Sequence, residues 1–214
     1  MPEYQVRVIQ DELNNLEEFL ALFPEGFLKK AAERTTSGRI QICLVRSILG
    51  NEAVGNALHA AAGLQYWDDN TNAYLSLSVG QDQLVQTACH EMFHIIESYV
   101  MTVSKAYDDW NNLNPKGFSY DYNYIANLDR SNSQWLEGKD RAFIDSYSMS
   151  YPKEDRARIM EYAMRPGNES YFESETMQNK LRHLCLGIRK AFKLEKSTES
   201  FLWEQYLKEP LNKT

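Results

Sequence analysis

The pentapeptide His90-Glu91-Met92-Phe93-His94 is the part of this 214-residue chain whose residue types and spacing can do chemistry. On an α-helix, residues four apart project from one face about a turn apart, so two imidazoles can converge on one ion. Zinc takes imidazole nitrogen at about 2.0–2.1 Å. Glu91, one step around the helix, reaches the edge of the same site, where a carboxylate can take a proton from water acidified by the ion. The plain alternative is two satisfied histidines and a solvated glutamate. Two of the chain's 4 histidines fall in this one pentapeptide, which favours the metal.

A catalytic zinc keeps three protein ligands and one open position, so a third ligand must come from elsewhere. The continuation that would supply a third histidine from the same segment is absent, because Glu97 and Val100 stand where Gly and His would be needed. His59 lies in a small-residue segment and His183 inside a predicted helix, and both read as ordinary surface or core residues. A carboxylate is the better candidate. Glu97 shares the imidazole face, but one further turn of a straight helix cannot close a tetrahedral site, so Glu97 reads as solvent-paired or as a supporting contact. Glu154 stands at a predicted helix start, where the dipole favours an ionised carboxylate; a plain helix-start charge is the competing reading. Tyr147, seven residues earlier, is either a phenol placed to donate to an oxyanion or an ordinary packed ring among 13 tyrosines.

Residues 81–103 form the helix that must carry the motif, with apolar positions at Leu84, Val85, Ala88, Met92, Ile95, Ile96 and Val100. Ahead of it, residues 11–23 and a short stretch after Pro24 read as helices, and residues 39–45 and 72–79 alternate as strands. Residues 107–141 are rich in Asn, Asp, Gly, Ser, Tyr and Trp, and read as a long connection pinned by Phe118, Tyr120, Tyr122, Tyr124 and Trp135. Helices are predicted from Pro152 to about residue 164, near 171–192 and near 199–207. Arg189, Lys190, Lys193 and Lys196 read as a solvated helix end.

Composition removes several classes of function. With Lys+Arg 23 against Asp+Glu 30, the formal charge of -7 gives no general attraction to nucleic acid or anionic lipid. No run approaches the roughly 18 apolar residues of a membrane-spanning helix. Cys43, Cys89 and Cys185 are too few to frame a disulfide scaffold and read as small buried hydrophobes. The opening residues lack the features of a secretory leader. No phosphate-cradling motif and no Gly-x-Ser-x-Gly elbow occur. Neither a repeat nor a linker divides the chain, so residues 1–214 are expected to form one domain.

The segments His90-Glu91-Met92-Phe93-His94 and Tyr147, six residues, Glu154-Asp155-Arg156-Ala157 together resemble the catalytic domain of the anthrax lethal factor type and related bacterial zinc-binding metallopeptidases. The resemblance covers roughly residues 72–165. It implies an α+β, mostly helical, zincin-like fold with a small mixed sheet before the motif helix. It also implies zinc bound by His90, His94 and Glu154, Glu91 as general base, and Tyr147 assisting the intermediate. The implied activity is zinc-dependent peptide-bond hydrolysis, endopeptidase favoured, on a peptide or protein substrate. In zincins a strand near the site receives extended substrate, and residues 74–79 are in the matching place. The alternative is a zinc-bearing but catalytically weak module that binds a peptide or protein. The resemblance favours a secreted or cell-envelope location. One departure stands out: the family pattern continues into two aromatics and an acidic residue, where this chain has Asp155, Arg156 and Arg158. Asp155 and Arg156 read first as surface charge.

Overall fold

Residues 3–54, 57–80, 83–124 and 134–211 are described by a computed structural model, with the side chains of 3–6, 49–54 and 57–60 outside that description. Helix α1, Glu3–Ala21, begins earlier than its apolar spacing alone predicts. Its buried Phe19 starts a ring ladder, edge-on to Phe23 at 5.5 Å, with Phe23 stacked on Phe27 at 5.9 Å. Gly26 takes φ 77, a left-handed conformation that a residue without Cβ adopts cheaply, and α2 follows as Phe27–Ala32.

The alternating segments form strands as expected: β1 is Ile40–Val45 and the later strand is Ala73–Ser78. Three further strands lie between them, β2 Ile48–Val54, β3 Ala57–Ala61 and β4 Gly63–Trp67, so the later strand is β5. The soft run of small residues around Ala57 hid them, because it carries neither strict alternation nor β-branched enrichment. Among the described residues, β1, β5 and β4 form a mixed sheet in that order, with β5 central, parallel to β1 and antiparallel to β4. β2 and β3 form a separate antiparallel pair. The β4–β5 turn is held by Asp68, which accepts from Asn70 N at 3.0 Å and Asn72 N at 2.8 Å.

The motif helix is α3, Leu84–Ser104. Glu12 of α1 accepts from Gly80 N at 2.6 Å, which ties α1 to the segment that leads from β5 into α3. Met1–Ile96 and Glu97–Thr214 are two compact units, and the division falls inside α3.

In the second unit α4 is Pro152–Ala163, with proline at its first position, and α5 is Glu175–Phe192, capped by Ser174. The described part of the long connection is pinned by aromatic packing, as its composition predicts: Phe118 meets Tyr120, Trp135 and Phe143 at 5.0, 5.5 and 4.4 Å. Residues 125–133 of that connection lie outside the described residues. The helix predicted near 199–207 reduces to one short turn, Leu202–Glu204. Arg189 explains this. It is buried rather than solvated, pairs with both Glu204 carboxylate oxygens at 2.6 and 2.8 Å, and donates to the carbonyls of Leu194, Ser197 and Glu199. The Glu199 carbonyl, bound to the guanidinium, does not serve a helical ladder at the start of that segment. Lys190, Lys193 and Lys196 are exposed, as expected of a helix end.

The architecture is therefore mixed α+β with a small mixed sheet before α3. No helix among the described residues is long and apolar enough to cross a membrane. None of the three cysteines is in a disulfide; Cys89 and Cys185 are buried, and Cys43 is half-buried.

Gly187, mid-helix in α5, faces the Tyr107 ring, whose hydroxyl donates to Leu184 O at 2.9 Å; a Cβ at Gly187 would fall on that ring. Exposed helical Gly→Ala changes gain about 1 kcal/mol. Gly187→Ala is expected to lose about 1–3 kcal/mol instead, through overpacking. Urea unfolding followed by circular dichroism checks the sign.

Candidate functional site

Every side chain of α3 from Ala88 to Val100 is buried or half-buried, as its apolar residues on all sides require. His90 and His94 stand one turn apart with ring centroids 5.0 Å from each other, nearly perpendicular at 85°. His90 is buried and His94 half-buried. The structure gathers these two imidazoles with Glu154, and one ligand atom from each lies within 4.8 Å of the others. Ligands about 2 Å from a common ion stand roughly 3–4 Å apart, so atoms within 4.8 Å of one another form a candidate set. Two nitrogens and one carboxylate oxygen are a donor set that divalent metals accept, so this group could hold a metal ion. It is the group of this kind among the described residues.

Glu154 owes its place to the start of α4. Tyr151 caps the helix in an extended conformation, Pro152 presets the first turn, and Glu154 N and Asp155 N both donate to Tyr151 O at 3.1 Å. The carboxylate is only 3% exposed. It accepts from the Tyr124 hydroxyl at 3.3 Å, and the Lys153 ammonium lies 3.6 Å from the same oxygen. Burial, with Glu154 adding to it, raises the Tyr124 phenol above its ordinary pKa, which keeps it a donor. Burial pulls Lys153 down, but Tyr124 and Glu154 outweigh it, and the ammonium is stabilised overall.

Glu91 is half-buried, and its Oε2 accepts from Gln65 N of β4 at 2.8 Å. The approach is close. A Cβ on Gly63 would come within 2.5 Å of Thr87 Cγ2 and 2.8 Å of Glu91 Cγ, so glycine at this position lets β4 lie against the motif glutamate.

Tyr147 opens a short 3-10 turn, Tyr147–Met149, held by Asp145, whose Oδ1 accepts from Ser148 N at 2.9 Å and Ser148 Oγ at 3.0 Å. Its ring stacks on Tyr124 at 5.9 Å, and the Arg158 guanidinium sits 5.0 Å from its centroid. Arg158 in turn lies 3.2 Å from Asp145 Oδ2. Tyr124 thus joins Tyr147 to Glu154, one by stacking and the other by hydrogen bond. Its composition-level reading as loop packing missed that role, since nothing local marks one tyrosine of an aromatic-rich segment.

Asp155 and Arg156 are not surface charges. Asp155 is fully buried and accepts from Trp110 Nε1, Tyr120 OH and Lys180 Nζ at 3.0, 2.7 and 2.7 Å. Arg156, 5% exposed, donates through Nε to Glu97 Oε1, so Glu97 is buried and ion-paired rather than solvent-paired. A charged triplet at the start of a helix with few apolar residues was the available signal, because such a helix must bury charge if it packs at all. His183 lies outside the gathered ligands, with Nε2 3.1 Å from Asp109 and its ring near Tyr107 and Trp110. The side chain of His59 is outside the described residues. The strand expected to receive substrate, residues 74–79, is β5, whose backbone is already hydrogen-bonded on both sides by β1 and β4.

No family model, no curated protein and no solved structure matches the chain.

Metal affinity should grade with distance from the ion. Glu154→Ala is expected to abolish retention of metal through dialysis against a mild chelator, and Tyr124→Phe to weaken affinity by about 10-fold, the lower end for losing a partner of a ligand. Competition with a chromophoric chelator measures both; equal affinity of Glu154→Ala and wild type would move the third ligand elsewhere.

Proposed function

We propose that this chain is a zinc-dependent peptidase with a zincin-like site, its metal held by His90, His94 and Glu154. The observation that carries the reading is the gathering of these three ligand atoms within 4.8 Å of one another. Two imidazoles and a carboxylate also suit ferrous iron. Glu91 tips the choice toward zinc, because a carboxylate base beside the first ligand serves hydrolysis. Bound there, zinc would supply Lewis acidity that polarises a carbonyl and lowers the pKa of bound water toward about 7.

Within this reading, Glu91 removes the proton from the attacking water and later returns it to the leaving amine. The Gln65 N–H holds its carboxylate in one orientation before substrate arrives. Tyr147, stacked on Tyr124 and faced by Arg158, donates to the oxyanion that develops on the substrate carbonyl. The substrate-pairing role passes from β5 to β4, an edge strand of the sheet among the described residues and the strand that touches Glu91. Beyond the Gln65 N–H that Glu91 already occupies, an extended peptide added to that edge would run its backbone beside the base. The substrates are then peptides or proteins, not nucleic acid.

Glu91→Gln separates the enzyme from a metal-bearing module that merely binds peptide. It removes the base without removing a ligand, so the variant is expected to keep stoichiometric zinc and lose several orders of magnitude in turnover of a peptide library read by mass spectrometry. Wild type that binds zinc, yet cleaves nothing that chelator suppresses, would favour the binding module. Gly63→Ala should displace Glu91 and lower kcat, with zinc content unchanged by plasma emission analysis.

A further inference from the structure

Glu154, Asp155 and Arg156 are consecutive on α4, and helical residues step about 100° apart, so the three side chains leave the helix in three directions. All three are buried. Asp155 meets Trp110, Tyr120 and Lys180 at 3.0, 2.7 and 2.7 Å. Lys180 is itself fully buried and also donates to Ala142 O at 2.7 Å. Arg156 pairs with Glu97 while its guanidinium sits 5.3 Å from the ring centroids of both Tyr107 and Trp110. Glu97 belongs to α3, three residues past His94, and residues three apart on a helix are surface neighbours. The Arg156 bond therefore references α4 directly to the helix that carries the imidazoles.

Stability does not explain this expense. Replacing a buried ion pair with apolar residues of similar size is often neutral or stabilising, because the desolvation of both charges offsets their attraction. What a planar guanidinium held between two rings and aimed at one carboxylate does provide is direction. A helix fastened at two azimuths can neither roll nor slide, and its third azimuth is Glu154. Metal–ligand distances in a formed site fall within about 0.2 Å of their ordinary values.

We infer that the Arg156–Glu97 pair, with the Asp155 cluster beside it, fixes the turn of α4 that presents the Glu154 carboxylate, and that metal binding depends on this fixing. Arg156, Glu97 and Asp155 are positioning residues, not ligands. This inference rests on the metal-centre reading above.

The test compares two double variants of the full chain by zinc affinity, by the visible spectrum of the cobalt-substituted protein and by urea unfolding. Glu97→Gln/Arg156→Met removes the pair with similar side-chain length. Arg189→Met/Glu204→Gln removes an equally buried pair that touches none of the three ligands in the structure. The first is expected to fold and to lose about 10–100-fold in zinc affinity, with weaker four-coordinate cobalt bands. The second is expected to stay within about twofold of wild type in affinity, even where it unfolds at lower urea. If the first variant does not fold, Glu97→Asp serves instead: it keeps the charge and shortens the reach by one methylene, and about a 10-fold loss is expected. Wild-type affinity in whichever of these folds, or an equal loss in both double variants, overturns the positioning role alone. Wild-type protein that takes up no metal overturns the metal-centre reading and this inference with it.

Discussion

The carboxylate that could share an ion with two imidazoles, which one helix holds a turn apart, is buried on a second helix some sixty residues further along the chain. Burying that charge unassisted would be costly, since an ionised carboxylate loses its hydration and gains nothing in return. Here Glu154 is 3% exposed, and four things offset the loss: the α4 N-terminus, the Tyr124 hydroxyl, the nearby Lys153 ammonium and any cation the site holds. The first three are partners that the buried carboxylate has within the chain itself.

The same pattern of buried charge met by directional partners recurs in the second unit. Lys180 meets Asp155, Arg156 meets Glu97, and Arg189 meets Glu204, each pair on buried side chains. Burial lowers the Lys180 ammonium against the opposing pull of Asp155, and it raises Tyr120, which remains a donor to the same carboxylate. Trp110 and Tyr107 then serve twice, as apolar bulk and as walls for the Arg156 guanidinium. Such networks tolerate few alternative arrangements, because any shift leaves a buried group unpaired.

In the first unit the constraint is a close approach. β4 lies against α3 because Gly63 has no side chain, and the Gln65 N–H, at the outer side of β4, meets Glu91. A backbone donor cannot change rotamer, so the glutamate is oriented by the sheet itself.

Much of this was legible in the sequence. The motif helix, β1, β5 and the start of α4 follow from local signals, namely apolar period, alternation and a proline at the first helical turn; a spacing of four singles out His90 and His94, whereas Glu154 has two local readings, between which the resemblance favours the ligand. Those signals survive because each is set by the backbone over a few residues. Tertiary structure alone decided which charges are inside. Asp155, Arg156, Glu97 and Arg189 look solvated in sequence, since a charged side chain is buried only when a specific partner arrives from a distant segment, and no periodicity records that partner. It decided the edge of the sheet for the same reason: β5 reads as a half-buried strand, but only the pairing with β1 and β4 shows that its backbone is spent. Local propensity names the residues that can do chemistry, whereas the pairing of buried polar groups across the chain determines where they point.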